Sequence, residues 1–393
     1  MTRQTTPRPW AAWVALALCL AGPPALADEL LKLGVSVPLT GSGANWGKGN
    51  EFMCKKAAQE IKAAGGIRVK GQVYNLDCLA YDNKYTSAEG TKVAQTLLNR
   101  EGVKYLYVFG TPPLLAAQAL TERQGVLLFN GTWALNSKGP NFPLTFSGSN
   151  SPFEMVPAMI SHVTAAHPQA KTVVLLNVND SSGRDTERVQ RPSWEKRGVK
   201  VLTSDYFERG TTEFGPVAVR LMSHKPDIID LGTTPLADAG QVFKELDVLG
   251  FKGVKVLPNG NAAEGLMATA GGAGNGVYMG GAVPFDGPSG TEHQRKVNEE
   301  ARALLGESLG FANIIGYDVV YMLKSGMEKA QSLEPKDIAA ALPSTKFRTF
   351  YGAEVGYGGK DIYGSVQQPL LPVFITQVVN GKLVERAKVV PKE

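Results

Sequence analysis

The residues best placed to do chemistry fall in one glycine-rich stretch, Val35 to Ile61, VSVPLTGSGANWGKGNEFMCKKAAQEI. It reads as a strand, a loop and a helix, the order in which many nucleotide sites begin. Gly41, Gly43 and Gly47 are spaced G-x-G-x-x-x-G. The dinucleotide fingerprint has one residue fewer before its third glycine, and wants an acid about 20 residues further on. Asp82 comes later than that. The phosphate loop of nucleotide hydrolases separates two glycines by four residues and follows with Lys and Ser or Thr. Here Gly41 and Gly47 are separated by five, and Gly49 follows Lys48. Neither phosphate chemistry fits. What remains is a helix start with free backbone N–H groups, able to hold a carboxylate or similar small polar group. Trp46 stands beside it to cover an apolar part. A solvent-facing turn with a packing tryptophan would use the same residues.

Catalytic templates do poorly. The four histidines are His162, His167, His224 and His293. None has H-E-x-x-H spacing or stands near a cysteine, so no metal ligand, catalytic residue or cofactor is expected. His162 and His167 are expected on the surface of one helix. A secreted enzyme would need a histidine near Ser182 or Thr132. The chain carries 41 Lys and Arg against 36 Asp and Glu, a formal charge of +5. The two signs interleave without a basic block, so nucleic acid is not the expected partner.

The elements that must position these residues alternate. LLKLGVSVPL is a strand, and the helix after it stops at Gly65-Gly66, where glycine suits a left-handed cap. VYNLDCLAYD, VKYLYVFG and VLLFNG are further strands, separated by helices. Short apolar runs between amphipathic helices indicate parallel strands covered on both faces. The pattern pauses at NFPLTFSGSNSPFE and then repeats from TVVLLNV to VKVLPNG. A glycine-rich segment, GGAGNGVYMGGAVPFDG, and two long helices follow. The end is a hairpin turning at Asn380-Gly381. The halves are copies in architecture, not in sequence.

The first residues set the compartment. Arg3 and Arg8 precede an uncharged apolar run, Trp10 to Gly22, shorter than the roughly 20 residues of a membrane span. Ala25-Leu26-Ala27 supplies a small-x-small cleavage pattern. Residues 1–27 therefore read as a secretory signal peptide. Cys19 lies in that run, but Leu18 before it is too large for a lipoprotein site. The mature chain has 393 − 27 = 366 residues and a charge of +5 − 2 = +3. It keeps Cys54 and Cys78, and an exported chain with an even count invites a disulfide. Met53, Cys54, Ala57, Ala58 and Ile61 share one helical face, so Cys54 points inward, towards the next strand with Cys78. Two buried thiols are the alternative. Closing a loop of roughly 25 residues would stabilise by about 3 kcal/mol.

LKLGVSVPLTGSGANWGKGNEFMCKKAAQEIKAAGGI is followed in order by YDNKYTSAEGTKVAQTLLNREGVKYLYVFG, ERGTTEFGPVAVRLMSHKPDIIDLGTT and ADAGQVFKELDVLGFKG. Together they resemble the periplasmic leucine/isoleucine/valine-binding family of ABC-transporter substrate-binding proteins. The likeness covers essentially the whole mature chain. It implies an α/β fold of two doubly wound parallel-sheet lobes joined by three hinge crossings, with ligand in the cleft between them. Lobe 1 would be residues 28–147 and 282–366, and lobe 2 residues 148–281 and 367–393. It implies a periplasmic, monomeric, non-enzymatic protein that hands a small-molecule ligand to an ABC permease at the inner membrane. A sensor domain of the same fold, presenting its ligand to a membrane receptor, is the second reading.

Ligands of open α/β sheets gather at the carboxyl ends of strands. Those ends are the loops starting at Thr40, Gly110, Asn130, Asn179, Thr233 and Asn259. The resemblance implies Trp46 as an aromatic wall, with Gly110 and Thr111 as one polar contact and Thr132 and Trp133 as another. From the far lobe it implies Ser182, Thr233, Thr234 and Asn259. Three positions depart from the family's amino-acid binders. Pro112 and Pro113 stand where a serine or threonine is common, Ser182 where a tyrosine is often found, and Asn259 where an acid is placed. An ammonium enclosed without a carboxylate would cost several kcal/mol in lost solvation. The expected ligand is therefore a small acid or amide without an ammonium, with an aromatic body between Trp46 and Trp133. Glu264 is the residue best able to swing in and change that, and Asp286 near a crossing is the next.

Overall fold

The computed structural model describes residues 1, 2, 4, 29–41 and 43–390. The expected signal peptide, with Cys19, lies almost wholly outside the described residues. No helix among the described residues is long and apolar enough to cross a membrane.

The chain begins β1 (Glu29–Val37), α1 (Ala44–Ala63), β2 (Ile67–Val69), β3 (Gln72–Asp82), α2 (Ser87–Gln95), β4 (Tyr105–Phe109), α3 (Thr111–Gln124), β5 (Leu127–Gly131) and β6 (Thr145–Ser147). These strands form one sheet in the order β2-β3-β1-β4-β5-β6. All are parallel except β2, which pairs antiparallel with β3 at the edge. The next series is α4 (Pro152–Ala166), β7 (Thr172–Val178), α5 (Ser181–Lys196), β8 (Lys200–Phe207), α6 (Gly215–Ser223), β9 (Ile228–Asp230), α7 (Leu236–Val248), β10 (Val254–Leu257), α8 (Ala263–Ala270) and β11 (Tyr278–Gly280).

The chain then returns to the first sheet with α9 (Glu292–Leu305), α10 (Phe311–Ala330) and α11 (Pro335–Ala341). Four two-residue strands follow around one short helix: β12 (Phe347–Arg348), β13 (Glu354–Val355), β14 (Tyr357–Gly358), α12 (Lys360–Tyr363) and β15 (Gln368–Pro369). The hairpin β16 (Val373–Val379) and β17 (Lys382–Val389) completes the second sheet, ordered β17-β16-β11-β10-β9-β7-β8. Asn380 and Gly381 both adopt positive φ, 50° and 75°, as a tight hairpin turn requires.

Alternation along the strands builds the core. Tyr105 and Tyr107 of β4 pack with α1 and α10, while Leu106 and Val108 pack with α2 and α3. Val174 and Leu176 of β7 pack with α6 and α7, while Val173 and Leu175 face α4 and α5. Both sheets are thus covered on both faces, as their continuous apolar runs demand. Cys54 of α1 and Cys78 of β3 form a disulfide with Cα atoms 6.2 Å apart.

Helices α1 and α10 touch backbone to backbone. A Cβ on Gly316 would lie 2.3 Å from the Asn50 carbonyl oxygen, and one on Gly49 would lie 2.3 Å from Asn313 Nδ2. Glycine is needed where helices approach this closely.

Within the glycine-rich segment, Tyr278–Gly280 forms strand β11 between β10 and β16. One local expectation needs correction. His162 and His167 are not plain surface residues. Both rings pack edge-on against Tyr278, with centroids 5.9 and 5.6 Å away, and His167 follows the end of α4 rather than sharing it. The aromatic edge pairing holds them half-buried.

Candidate functional site

Each sheet reverses its winding once. The central strands run β3-β1-β4-β5 in the first sheet and β8-β7-β9-β10 in the second. The loops after β1, β4, β7 and β9 therefore flank the two switch points, where open sheets hold ligands. Between the sheets lies a cavity of about 440 Å³ including its mouth. It is a narrow slot between the two walls.

One wall is aromatic and comes from the first sheet and its helices. Trp46, Tyr85 and Phe109 line it, with Trp46 5.8 Å from Phe109 and 6.2 Å from Tyr85, centroid to centroid. Trp133 and Phe311, 6.1 Å apart, line it further along, with Ile315. Trp46 sits in the first turn of α1 and is held by Asn50. The Asn50 amide donates to the Trp46 carbonyl at 2.9 Å and the Ala312 carbonyl at 2.6 Å, and its oxygen accepts from Tyr107 and from the Gly316 N–H. All four hydrogen bonds of this fully buried side chain tie β4, α1 and α10 together.

Tyr85 is placed by strained backbone. Lys84 and Tyr85 adopt φ of 49° and 58°, the left-handed region that non-glycine residues avoid. The turn is held by its neighbours. Asp82 accepts from the backbone of Leu39 and Lys84 and from the Thr40 hydroxyl, and Asn83 accepts from the Tyr85 N–H. Burial alone would raise the Asp82 pKa, but these donors hold it below the usual range. Strain kept in place by such bonds is typical of functional turns.

The opposite wall is polar and comes mainly from the second sheet: Ser182, Arg209, Thr233 and Asn259. Asp180 caps α5, accepting from the Gly183 N–H at 3.1 Å and from the Ser182 hydroxyl. Its other oxygen accepts from Arg209 Nε at 2.8 Å and Nη2 at 2.6 Å. The Arg209 guanidinium lies 4.4 Å over the Tyr85 ring, so this arm bridges the two walls. Asp238 in the first turn of α7 also acts on Arg209, and burial lifts its pKa to about 6.

The hydroxyl hydrogens of this site are mostly spent. Thr132 donates to Asn130 Oδ1 at 2.9 Å, Ser182 to Asp180, and Thr233 to Asn177 Oδ1 at 3.3 Å. Asn259 Nδ2 donates weakly to the Thr233 carbonyl at 3.4 Å. Ser149, on the segment between β6 and α4, lines the cavity with a buried Oγ that has no partner.

The structure brings Trp46, Thr132, Trp133, Ser182, Thr233 and Asn259 to one cavity. It leaves Gly110, Thr111, Asn130 and Thr234 behind the wall. Gly110 precedes α3 at φ 106°, and the Thr111 hydroxyl accepts from the Trp133 N–H at 3.3 Å. Asn130 bonds to the carbonyls of Ser137 and Phe146. Thr234 is buried and its hydroxyl has no partner. Glu264 and Asp286 line a separate groove, where both reach Arg302. Asn261 donates to Asn313 rather than facing the cavity.

Gly306–Gly310 reads G-x-S-x-G, yet it joins two helices instead of a strand to a helix, and Ser308 donates to Glu264. It is not a nucleophile elbow. Among the described residues no cluster could hold a metal ion.

Sequence reasoning missed Tyr85, Phe109, Gly131, Ser149, Arg209, Phe311 and Ile315. Tyr85 and Arg209 follow the carboxyl ends of β3 and β8, two strand ends that the switch-point rule also covers. Phe311 and Ile315 leave no local signal, because α10 reaches the site only by packing on α1.

A slot between two sheets of equal winding, lined by the carboxyl ends of both, defines a type I periplasmic binding fold. A sequence profile of the family described as "Periplasmic binding protein" matches residues 31–382, and the chain belongs to that family. The leucine-, isoleucine-, valine-, threonine-, and alanine-binding protein of Pseudomonas aeruginosa is 22% identical over 331 residues, covering 82% of this chain and 85% of that protein. A leucine binding protein from Thermotoga maritima superposes with a TM-score of 0.77 at 20% identity, covering 92% and 99% of the two chains. An ABC-transporter solute binding protein from R. palustris, in complex with benzoate, superposes with a TM-score of 0.77 at 16% identity, covering 92% and 97%.

Proposed function

We propose that the chain is an exported, monomeric solute-binding protein that captures a small flat acid or amide in its interlobe slot. It then delivers that solute to an ABC permease at the inner membrane. The observation that carries this reading is the asymmetry of the slot. Its aromatic wall suits the face of a flat apolar body, and its polar wall suits a head group. No carboxylate lines the slot among the described residues. An enclosed ammonium would therefore lie beside Arg209 with no lining acid to offset its lost solvation. The benzoate held by the R. palustris neighbour is consistent with this chemistry for the fold. The segments that pass between the sheets after β6, after β11 and before β16 would carry the hinge.

Calorimetry on refolded, ligand-stripped protein tests the reading. Benzoate and phenylacetate are expected to bind, and leucine and phenylalanine to bind far more weakly. A solute at about 100 times its dissociation constant should also stabilise the protein by about 2.7 kcal/mol. Micromolar binding of leucine or phenylalanine, with none of the deaminated acids, would overturn the ligand class.

A further inference from the structure

We propose that Arg209 is the anion receptor of the slot, meeting the solute's carboxylate with the edge of its guanidinium that Asp180 leaves uncovered. This rests on the solute-binding reading above and names the head group that site takes.

Three observations carry it. Arg209 is the one cationic side chain lining the slot among the described residues. Its bonds to Asp180 use Nε and one face of Nη2, both on a single carboxylate oxygen. A guanidinium has five N–H donors, so the Nη1–Nη2 edge remains for a second, two-toothed contact. The neighbouring hydroxyls offer little to a carboxylate, which can only accept. Thr132, Ser182 and Thr233 have already given their hydrogens to Asn130, Asp180 and Asn177. Thr132 and Ser182 present lone pairs, which suit a hydroxyl donor on the solute, whereas Thr233 already accepts from the Val178 N–H at 3.1 Å. Of the lining serine and threonine hydroxyls, Ser149 is the one with its hydrogen uncommitted. On the polar wall and among the lining serines and threonines, the donors left for an anion are thus Arg209 and Ser149, with Asn259 as a weak third.

Asp180 is a positioning residue. Its place at the start of α5 fixes where the guanidinium sits, and the helix N-terminus offsets its charge. Tyr85 supplies the platform from the opposite wall, so the receptor is complete only when the two walls are together. A flat acid bearing a hydroxyl would use both kinds of group, its carboxylate on Arg209 and its hydroxyl donating to a spent threonine or serine.

Ligand-stripped wild type, Arg209→Gln and Arg209→Lys are titrated with benzoate, 4-hydroxybenzoate, benzamide, leucine and phenylalanine. Thermal unfolding of each empty variant checks folding. The wild type should bind both acids, with 4-hydroxybenzoate the tighter, and benzamide more weakly. Arg209→Gln should lose about 100-fold for the acids while benzamide changes by less than about threefold, and Arg209→Lys should recover part of the acid binding. Acid affinity within threefold of wild type in folded Arg209→Gln overturns the proposal. A wild type that prefers leucine or phenylalanine also overturns it, leaving the solute-binding reading in place. A wild type that binds none of the five overturns both the receptor and the ligand class.

Discussion

Trp46 does two jobs at once. It lines the slot, and it is 8% exposed against Tyr85 and Phe109. Trp46→Ala should therefore lower solute affinity by about 2–4 kcal/mol, as central aromatic anchors do. It should also cost the empty protein about 3 kcal/mol, as other buried aromatics do. Calorimetry and urea unfolding on the same sample separate the two, and a refolded variant with unchanged affinity would return Trp46 to the core alone. Trp46 was readable because it follows the carboxyl end of a strand, at a glycine-rich helix start where open sheets hold ligands. Arg209 was not, because in ERGTTEFG it reads as one more solvated charge. Only the fold reveals Tyr85 beneath it and Asp180 behind it. Thr111 shows the converse. The resemblance implied a ligand contact there, but its side chain is fully buried behind the wall, where its hydroxyl accepts from the Trp133 N–H.

At the scale of elements, the loop between α9 and α10 carries a charge into a tight place. Glu307 is 6% exposed, and its Oε2 would lie 2.5 Å from a Cβ on Gly265 of α8. Burial raises its pKa to about 7, with the Asn45 side chain opposing and the Glu264 charge adding to the shift. The other groups lining that recess, between the start of α1 and α8, do not titrate, and Glu264 is itself paired with Arg302. The sign follows from linkage. A carboxyl whose folded pKa lies above its unfolded value of 4.5 contributes stability that is present below that value and lost as pH rises through about 7. Thermal unfolding should therefore show Glu307→Gln gaining on wild type from pH 5 to pH 8. A gap that does not change with pH would contradict this. The alternation of strands and helices was legible in both main series, because apolar runs and amphipathic periods are local signals. The α1–α10 contact was not. Asn50 and Ala312, bonded at 2.6 Å, are 262 residues apart. Strand β11 was hidden because three residues ending in glycine, within a glycine-rich segment, carry too little pattern.

At the scale of the molecule, two sheets wound the same way place their switch points face to face, and the slot follows from that. The order of motifs along the chain made the architecture legible, whereas the composition of the slot depended on which side chains the closed walls bring together. Its aromatic side belongs to the first sheet and its polar side mostly to the second, so a solute bound by both would draw the walls together. The most direct test is a crystal structure of the ligand-stripped protein recombined with the tightest acid from the calorimetric panel. The account predicts the solute's ring against Trp46, Tyr85 and Phe109, with its carboxylate on Arg209. A solute seated instead in the groove of Glu264 and Arg302, or bound in the slot with its carboxylate away from Arg209, would contradict it.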